Sequence, residues 1–307
     1  MNILRSALLA GSESRWLREH ATRHGFVRSA VLRFMPGETV EAALDATRAR
    51  GMGTVLTQLG ENVSDLEQAR GVTWHYLDVL ERVRQSGLDA EISVKLTQLG
   101  LDLSREECEK NLLTLIERVR ALSRWIWIDI ESTAYTDRTL EIYRRMVAAY
   151  PRVGVCIQAY LYRTAEDLRT LLPLAGGLRL VKGAYREPPD RAFPKKSDVD
   201  ENYFRLAEQL LSADARARGV RAIFGTHDPV LIRRIEELGR SSGLSPEGLE
   251  FQMLYGIRRQ EQERLAGAGH RFRVLISYGD ARFPWYMRRL AERPANVLFV
   301  LKSLFAR

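Results

Sequence analysis

The chain has 307 residues, 45% hydrophobic and 28% charged, which suits an ordinary globular protein with one sizeable core. Its net charge of +8 and pI near 9.6 come from arginines interleaved with acids. That pattern describes a solvated mixed surface and lacks the basic stripe and modules of a nucleic-acid binder. Cys108 and Cys156 are far apart and outside any CxxC, which argues against a disulfide framework and a cysteine metal site and fits a reducing cytoplasm. The apolar run 7–10 is too short for a secretory core, and no segment approaches the roughly 20 apolar residues of a membrane span. The expected location is cytoplasmic, with peripheral contact at the inner face of a membrane open to the basic surface.

In chain order, residues 1–36 read as one or two basic helices broken at Gly25 and Pro36. His20 and His24 stand one turn apart there, but no third ligand and no HExxH accompany them, so no metal site is expected. A helix over 38–50 stops at Gly51 and Gly53. Apolar, β-rich runs then recur at 54–60, 92–96, 125–130, 153–160, 178–184, 221–225, 250–254 and 272–277, each followed by a helical pattern. Ser64 with Glu67 and Ser104 with Glu107 read as capping boxes that open two of those helices. Eight such alternations predict one α/β domain over 1–307, a TIM-like (β/α)8 barrel with residues 1–36 as a helical extension.

The strand ends carry Glu61, Lys95, Asp129, Gln158, Lys182, His227, Gln252 and Ser277, a ring of chemistry at the rim where such barrels place their active sites. In the fifth strand Arg179 and Lys182 fall on opposite faces by the period of two, so one cation goes to each side. Buried charge needs a partner. Asp129 emerges from an apolar run, and Lys95 or Lys182 is its expected counterion. The His227-Asp228 pair has no GxSxG nucleophile elbow beside it, and no GxGxxG or Walker-A motif follows any strand. Near the C-terminus Arg288 and Arg289 are adjacent, with Glu292 one turn on. Beside a barrel mouth, two arginines make a fork for a carboxylate.

Gly60-Glu61, Ser93 to Leu96, Ile128 to Glu131, Gln158 to Arg163, Arg179 to Tyr185, Ala222 to Asp228, Glu250 to Gly256 and Arg288 to Pro294 together resemble the monofunctional bacterial proline dehydrogenases. The likeness runs from about residue 30 to the C-terminus, in order. It implies a distorted (β/α)8 barrel with a C-terminal helix over the mouth and non-covalent FAD. It also implies oxidation of L-proline to 1-pyrroline-5-carboxylate by hydride transfer from C5 to flavin N5, with electrons passed to a membrane quinone.

Carried over, the resemblance gives Lys95, Asp129, Tyr185, Leu254, Arg288 and Arg289 to the substrate. It gives Gln158, Arg179, Lys182, Gly183, Ala184, Thr226, His227 and Glu292 to FAD, with Arg179 near N5 and Lys182 near the N1/C2 side. Glu61 is expected to face Arg288 as an ionic gate. Three positions depart from the family pattern: Leu275 and Trp285 stand where tyrosines are usual, and Ser277 where proline is common. This leaves hydroxyproline or another cyclic amino acid as an alternative substrate. A different class, a (β/α)8 aldolase with Lys95 or Lys182 as Schiff base, accounts for the rim lysines but not the arginine pair. An idle binding module on a membrane is a third reading.

Overall fold

A computed structural model describes residues 34–279; residues 1–33 and 280–307, with the expected N-terminal helices, His20, His24, Trp285, Arg288, Arg289 and Glu292, lie outside that range. Eight parallel strands close into a barrel in chain order: β1 (Gly53–Gln58), β2 (Ala90–Val94), β3 (Ile126–Ile128), β4 (Val153–Gln158), β5 (Gly177–Val181), β6 (Arg221–Gly225), β7 (Glu250–Leu254) and β8 (Arg271–Tyr278). The closing pair β1–β8 is in register over six residues, from Gly53↔Arg273 to Gln58↔Tyr278. Helices fill the connections: α1 (Val40–Arg50), α2 (Leu66–Ser86), α3 (Arg105–Ala121), α4 (Thr133–Ala149), α5 (Thr164–Leu171), α6 (Lys196–Leu210), α7 (Ala213–Ala217), α8 (Pro229–Ser241) and α9 (Arg259–Gly267).

Local chemistry sets the boundaries. α1 starts at Val40, two residues later than expected, because Thr39 caps it by accepting a hydrogen bond from the Ala42 N–H (3.3 Å). Gly51 ends it in the left-handed region at φ 61°. Ser104 caps α3 as expected, accepting from the Glu107 N–H (3.2 Å). The Ser64–Glu67 capping box does not form. Asp65 caps α2 one residue on, accepting from the Gln68 N–H (2.8 Å), since a carboxylate is both acceptor and charge for the helix N-terminus. Five of the expected strands ran further at their C-terminal ends than the strands observed. Past the end of β4, Ala159 and Tyr160 still donate to the carbonyls of Val181 and Lys182.

The period of two divides each strand between environments. One face (Leu56, Ile92, Val94, Ile128, Val155, Leu180, Phe224, Met253 and Ile276 among others) packs into one apolar core with the inward stripes of the helices, from Tyr76 and Leu80 of α2 to Ile235 of α8. Each such side chain contributes roughly 1.5–3 kcal/mol by leaving water. The other face points into the barrel, where Val55, Trp127 and Ile223 form an apolar layer with Trp125 and Leu275 against it.

Beneath that layer is a charged floor. Arg221 grips Glu250 with two nitrogens (2.6 and 2.8 Å) and reaches Glu91 (2.8 Å), and Arg273 lies 3.2 Å from Glu91 and 2.9 Å from Asp89. Trp127 donates its indole N–H to Glu91 (2.6 Å). The indole fits only because Gly154 and Gly177 lack side chains: a Cβ would come within 2.3 Å and 2.7 Å of its ring. Gly154→Ala should therefore overpack the barrel, costing about 1–3 kcal/mol and lowering the melting temperature by roughly 2–5 °C. Thermal unfolding checks this; an unchanged transition would mean that the indole moves aside freely.

Candidate active site

At the C-terminal ends of the strands the inward side chains are polar and mutually bonded. Arg179 of β5 is buried (2% exposed). Its Nη2 contacts the Asp129 carboxylate and donates to Ser93 Oγ (2.9 Å), and its Nη1 donates to Gln252 Oε1 (3.3 Å). Ser93 Oγ also donates to Asp129 (2.7 Å), and Lys95 Nζ lies 3.6 Å from the other Asp129 oxygen. Of the two counterions expected for Asp129, Lys95 is in place and Lys182 is not. Lys182 points to the other face of β5, where Asp228 (2.8 Å) and Asp200 hold it. The partner that the one-dimensional reading missed is Arg179. Burial opposes its charge, but the Asp129 carboxylate together with Cys156 and Glu91 outweighs that, so the guanidinium is held more firmly protonated than usual.

Around this pair stand further residues of the expected ring. Gln158 Nε2 donates to the Glu131 carbonyl (2.9 Å). Gln252, expected at a strand end, is instead mid-strand and reaches Arg179 from inside the barrel. Buried Gln158 Oε1, Gln252 Nε2 and Ser277 Oγ have no hydrogen-bond partner among the described residues. Unsatisfied buried polar groups are rare and costly, and these three lie on inward-facing positions of β4, β7 and β8. Gly183, at φ 113°, lies against Tyr160 so closely that a Cβ would sit 2.3 Å from its ring, and half-buried Ala184 and Tyr185 follow. The Tyr185 hydroxyl donates to Glu61 Oε1 (3.3 Å). Thr226 Oγ1 accepts from the Asp228 N–H (3.1 Å), and His227 Nε2 accepts from the Leu254 N–H (2.9 Å). His227 thus engages the next strand, and Asp228 serves the lysines.

Glu131 lies two residues beyond Asp129. It is 3% exposed and accepts from the Thr97 hydroxyl (2.6 Å). Burial pushes its carboxyl up to about 7, against the opposing pull of Thr97 and Lys95. The signal for it was weak: an acid two residues beyond Asp129 has the same strand parity, but its burial depends on the fold.

Comparison with known proteins bears on this geometry. The family model described as proline dehydrogenase matches residues 40–302. Proline dehydrogenase 1 of Bacillus subtilis subsp. natto is 36% identical over 306 residues, 98% of this chain and 99% of that one. Proline dehydrogenase of Deinococcus radiodurans is 34% identical over 280 residues, 89% of each chain. Among solved structures, proline utilization A (PutA) from Bradyrhizobium japonicum, mutant D778Y, superposes with a TM-score of 0.74 at 26% identity over 87% of this chain. PutA from Bdellovibrio bacteriovorus inactivated by N-propargylglycine gives 0.79 at 22% identity over 94% and shares the fold. The chain spans about a third of these solved proteins, 31% and 36%.

Glu131 makes a pH prediction. Its carboxyl titrates near 7 in the folded chain against an ordinary 4.5, so between those values the folded state binds more protons and stability falls as pH rises. The penalty is complete above pH 7 and on the order of 3 kcal/mol. Glu131→Gln should flatten that fall. Denaturant unfolding of both proteins at pH 5 and pH 8 checks it; equal slopes would show that Glu131 titrates normally.

Proposed function

Because the chain belongs to the proline dehydrogenase family and oxidises proline, we propose that it does so with FAD in the barrel mouth and passes the electrons to a quinone, with peripheral membrane contact. The observation that carries this reading is the buried Arg179–Asp129–Lys95 cluster, with three inward polar atoms that no described residue satisfies. Such atoms suit the many acceptors and donors of a flavin edge. The residues proposed to hold it are Gln158, Arg179, Lys182, Gly183, Ala184, Thr226 and His227, joined by Glu292. Bound FAD supplies a two-electron acceptor at N5.

Arg179 keeps a fixed positive charge in a place with little water, where it stabilises negative charge that arrives during oxidation. Lys182, already neutralised by Asp200 and Asp228, anchors the loop of Gly183 and Ala184 instead of adding net charge. Lys95, Asp129, Tyr185 and Leu254 line the substrate, and Arg288 with Arg289 takes its carboxylate. Proline gives up a hydride from C5 and a proton from its ring nitrogen to become 1-pyrroline-5-carboxylate. The amine must be neutral for this, so the rate rises toward alkaline pH. The Schiff-base alternative loses ground because Lys95 and Lys182 are each paired with carboxylates on opposite faces of the barrel wall, so neither stands as an unencumbered nucleophile at one site.

The purified protein should show flavin absorption that acid releases as FAD; a colourless protein that FAD cannot reconstitute would overturn the reading. Arg288→Met and Arg289→Met should each weaken proline binding roughly 10- to 150-fold, the loss of one charge-assisted contact, with FAD retained. Saturation kinetics and flavin content check this pair.

Specificity is proposed to follow from Leu275, whose side chain packs on the Val55–Trp127–Ile223 layer inside the barrel, and from Trp285. A branched aliphatic group in place of a hydroxylated ring leaves room beside the substrate. The enzyme should therefore tolerate 4-hydroxyproline, and Leu275→Tyr should shift kcat/KM toward proline by roughly 10- to 150-fold, the worth of one apolar contact. Unchanged ratios would free the eighth strand of that role.

A further inference from the structure

The loop from β1 to α2 carries Glu61, and its neighbour Asn62 has a conformation that needs explaining. Asn62 sits in the left-handed region at φ 54°, one of four described non-glycine residues with positive φ, at a cost that tertiary contacts must meet. Three contacts meet it. Its N–H donates to Thr97 Oγ1 (3.2 Å), and its side-chain amide donates to Asp102 Oδ2 (2.7 Å) and to the Tyr135 hydroxyl (3.0 Å). Tyr135 in turn donates to Asp102 (3.0 Å), and Arg138 lies over the Tyr135 ring and 3.5 Å from Asp102.

These partners come from three successive segments at one rim: the loop after β1, the loop after β2, and α4. Thr97 links the latch inward, since the same hydroxyl that accepts from Asn62 donates to buried Glu131. On the other side of the same turn Glu61 accepts from Tyr185. Asn62 itself is exposed, and exposed substitutions usually change global stability by no more than about 0.5 kcal/mol. What the latch fixes is therefore local: the course of the backbone at Glu61.

We propose that Asn62 is a positioning residue that holds Glu61 over the barrel mouth, and so governs how tightly a cyclic amino-acid carboxylate is retained. This rests on the proposed function and on the expectation that Glu61 gates the substrate site.

Asn62→Gly tests it, because glycine keeps the left-handed backbone and the N–H to Thr97 while removing the side-chain donor. In the flavin-loaded protein this variant should raise KM for L-proline roughly 5- to 10-fold, the worth of about one hydrogen bond. The Kd of cyclopentanecarboxylate, a proline-shaped probe that cannot be oxidised at nitrogen, should rise by the same factor, with kcat and melting temperature held. Asp102→Ala, which removes the acceptor, should give the same split. In a Glu61→Ala background, Asn62→Gly should add nothing, since residues that act through one another are not additive. Unchanged KM and Kd in both latch variants, or full additivity with Glu61→Ala, would overturn the proposal. If Glu61→Ala itself leaves KM and Kd unaltered, the placement of Glu61 at the substrate fails, and the proposal with it. That outcome is distinct, because it appears before Asn62 is touched.

Discussion

Closure of the sheet is the constraint from which the other features follow. Once β8 pairs with β1, every strand has an inner and an outer face, and no charge on the inner face can escape to solvent sideways. Each inward cation must then meet an inward anion or face the open end. Arg179 does the first through Asp129, and at the floor Arg221 and Arg273 do so through Glu91 and Glu250. The outer face carries the hydrophobic driving force, which leaves the inner face free to carry chemistry.

Sequence alone revealed most of the frame. The two bounds of β6 and β7, the cap at Ser104 and the opposite facing of Arg179 and Lys182 all follow from local rules of period and capping. What stayed illegible is whatever depends on register around the ring. Arg179 meets Asp129 across intervening β4, and that pairing exists only because Cys156 lies opposite Arg179 and Trp127 opposite Gly154. The floor cluster was invisible for the same reason: Glu91, Arg221, Glu250 and Arg273 are far apart in sequence. Glu131 could be counted as an acid, but its perturbed titration is a property of burial.

The mouth shows the opposite economy from the floor. Below, the carboxylates and guanidiniums of the four charged residues find one another within the protein. Above, Gln158, Gln252 and Ser277 keep inward polar atoms without partners among the described residues. Trp127 separates the two regimes. It donates downward to Glu91 and lies under the guanidinium of Arg179, 5.3 Å from ring centre to Cζ.

The floor also bears on how the chain can be assembled. Glu91 belongs to the second strand, yet the cations that neutralise it come from the sixth and eighth. A chain emerging from the ribosome has made β2, β3 and β4 long before it has made Arg221 or Arg273, so a nascent half-barrel that buried its apolar face would also trap an anion without a counterion. That favours late, concerted closure over stepwise growth from the N-terminus, and it makes a barrel cut between β4 and β5 a poor independent unit. The same ion network that seals one end in the finished molecule thereby binds the two halves of the polypeptide to fold together.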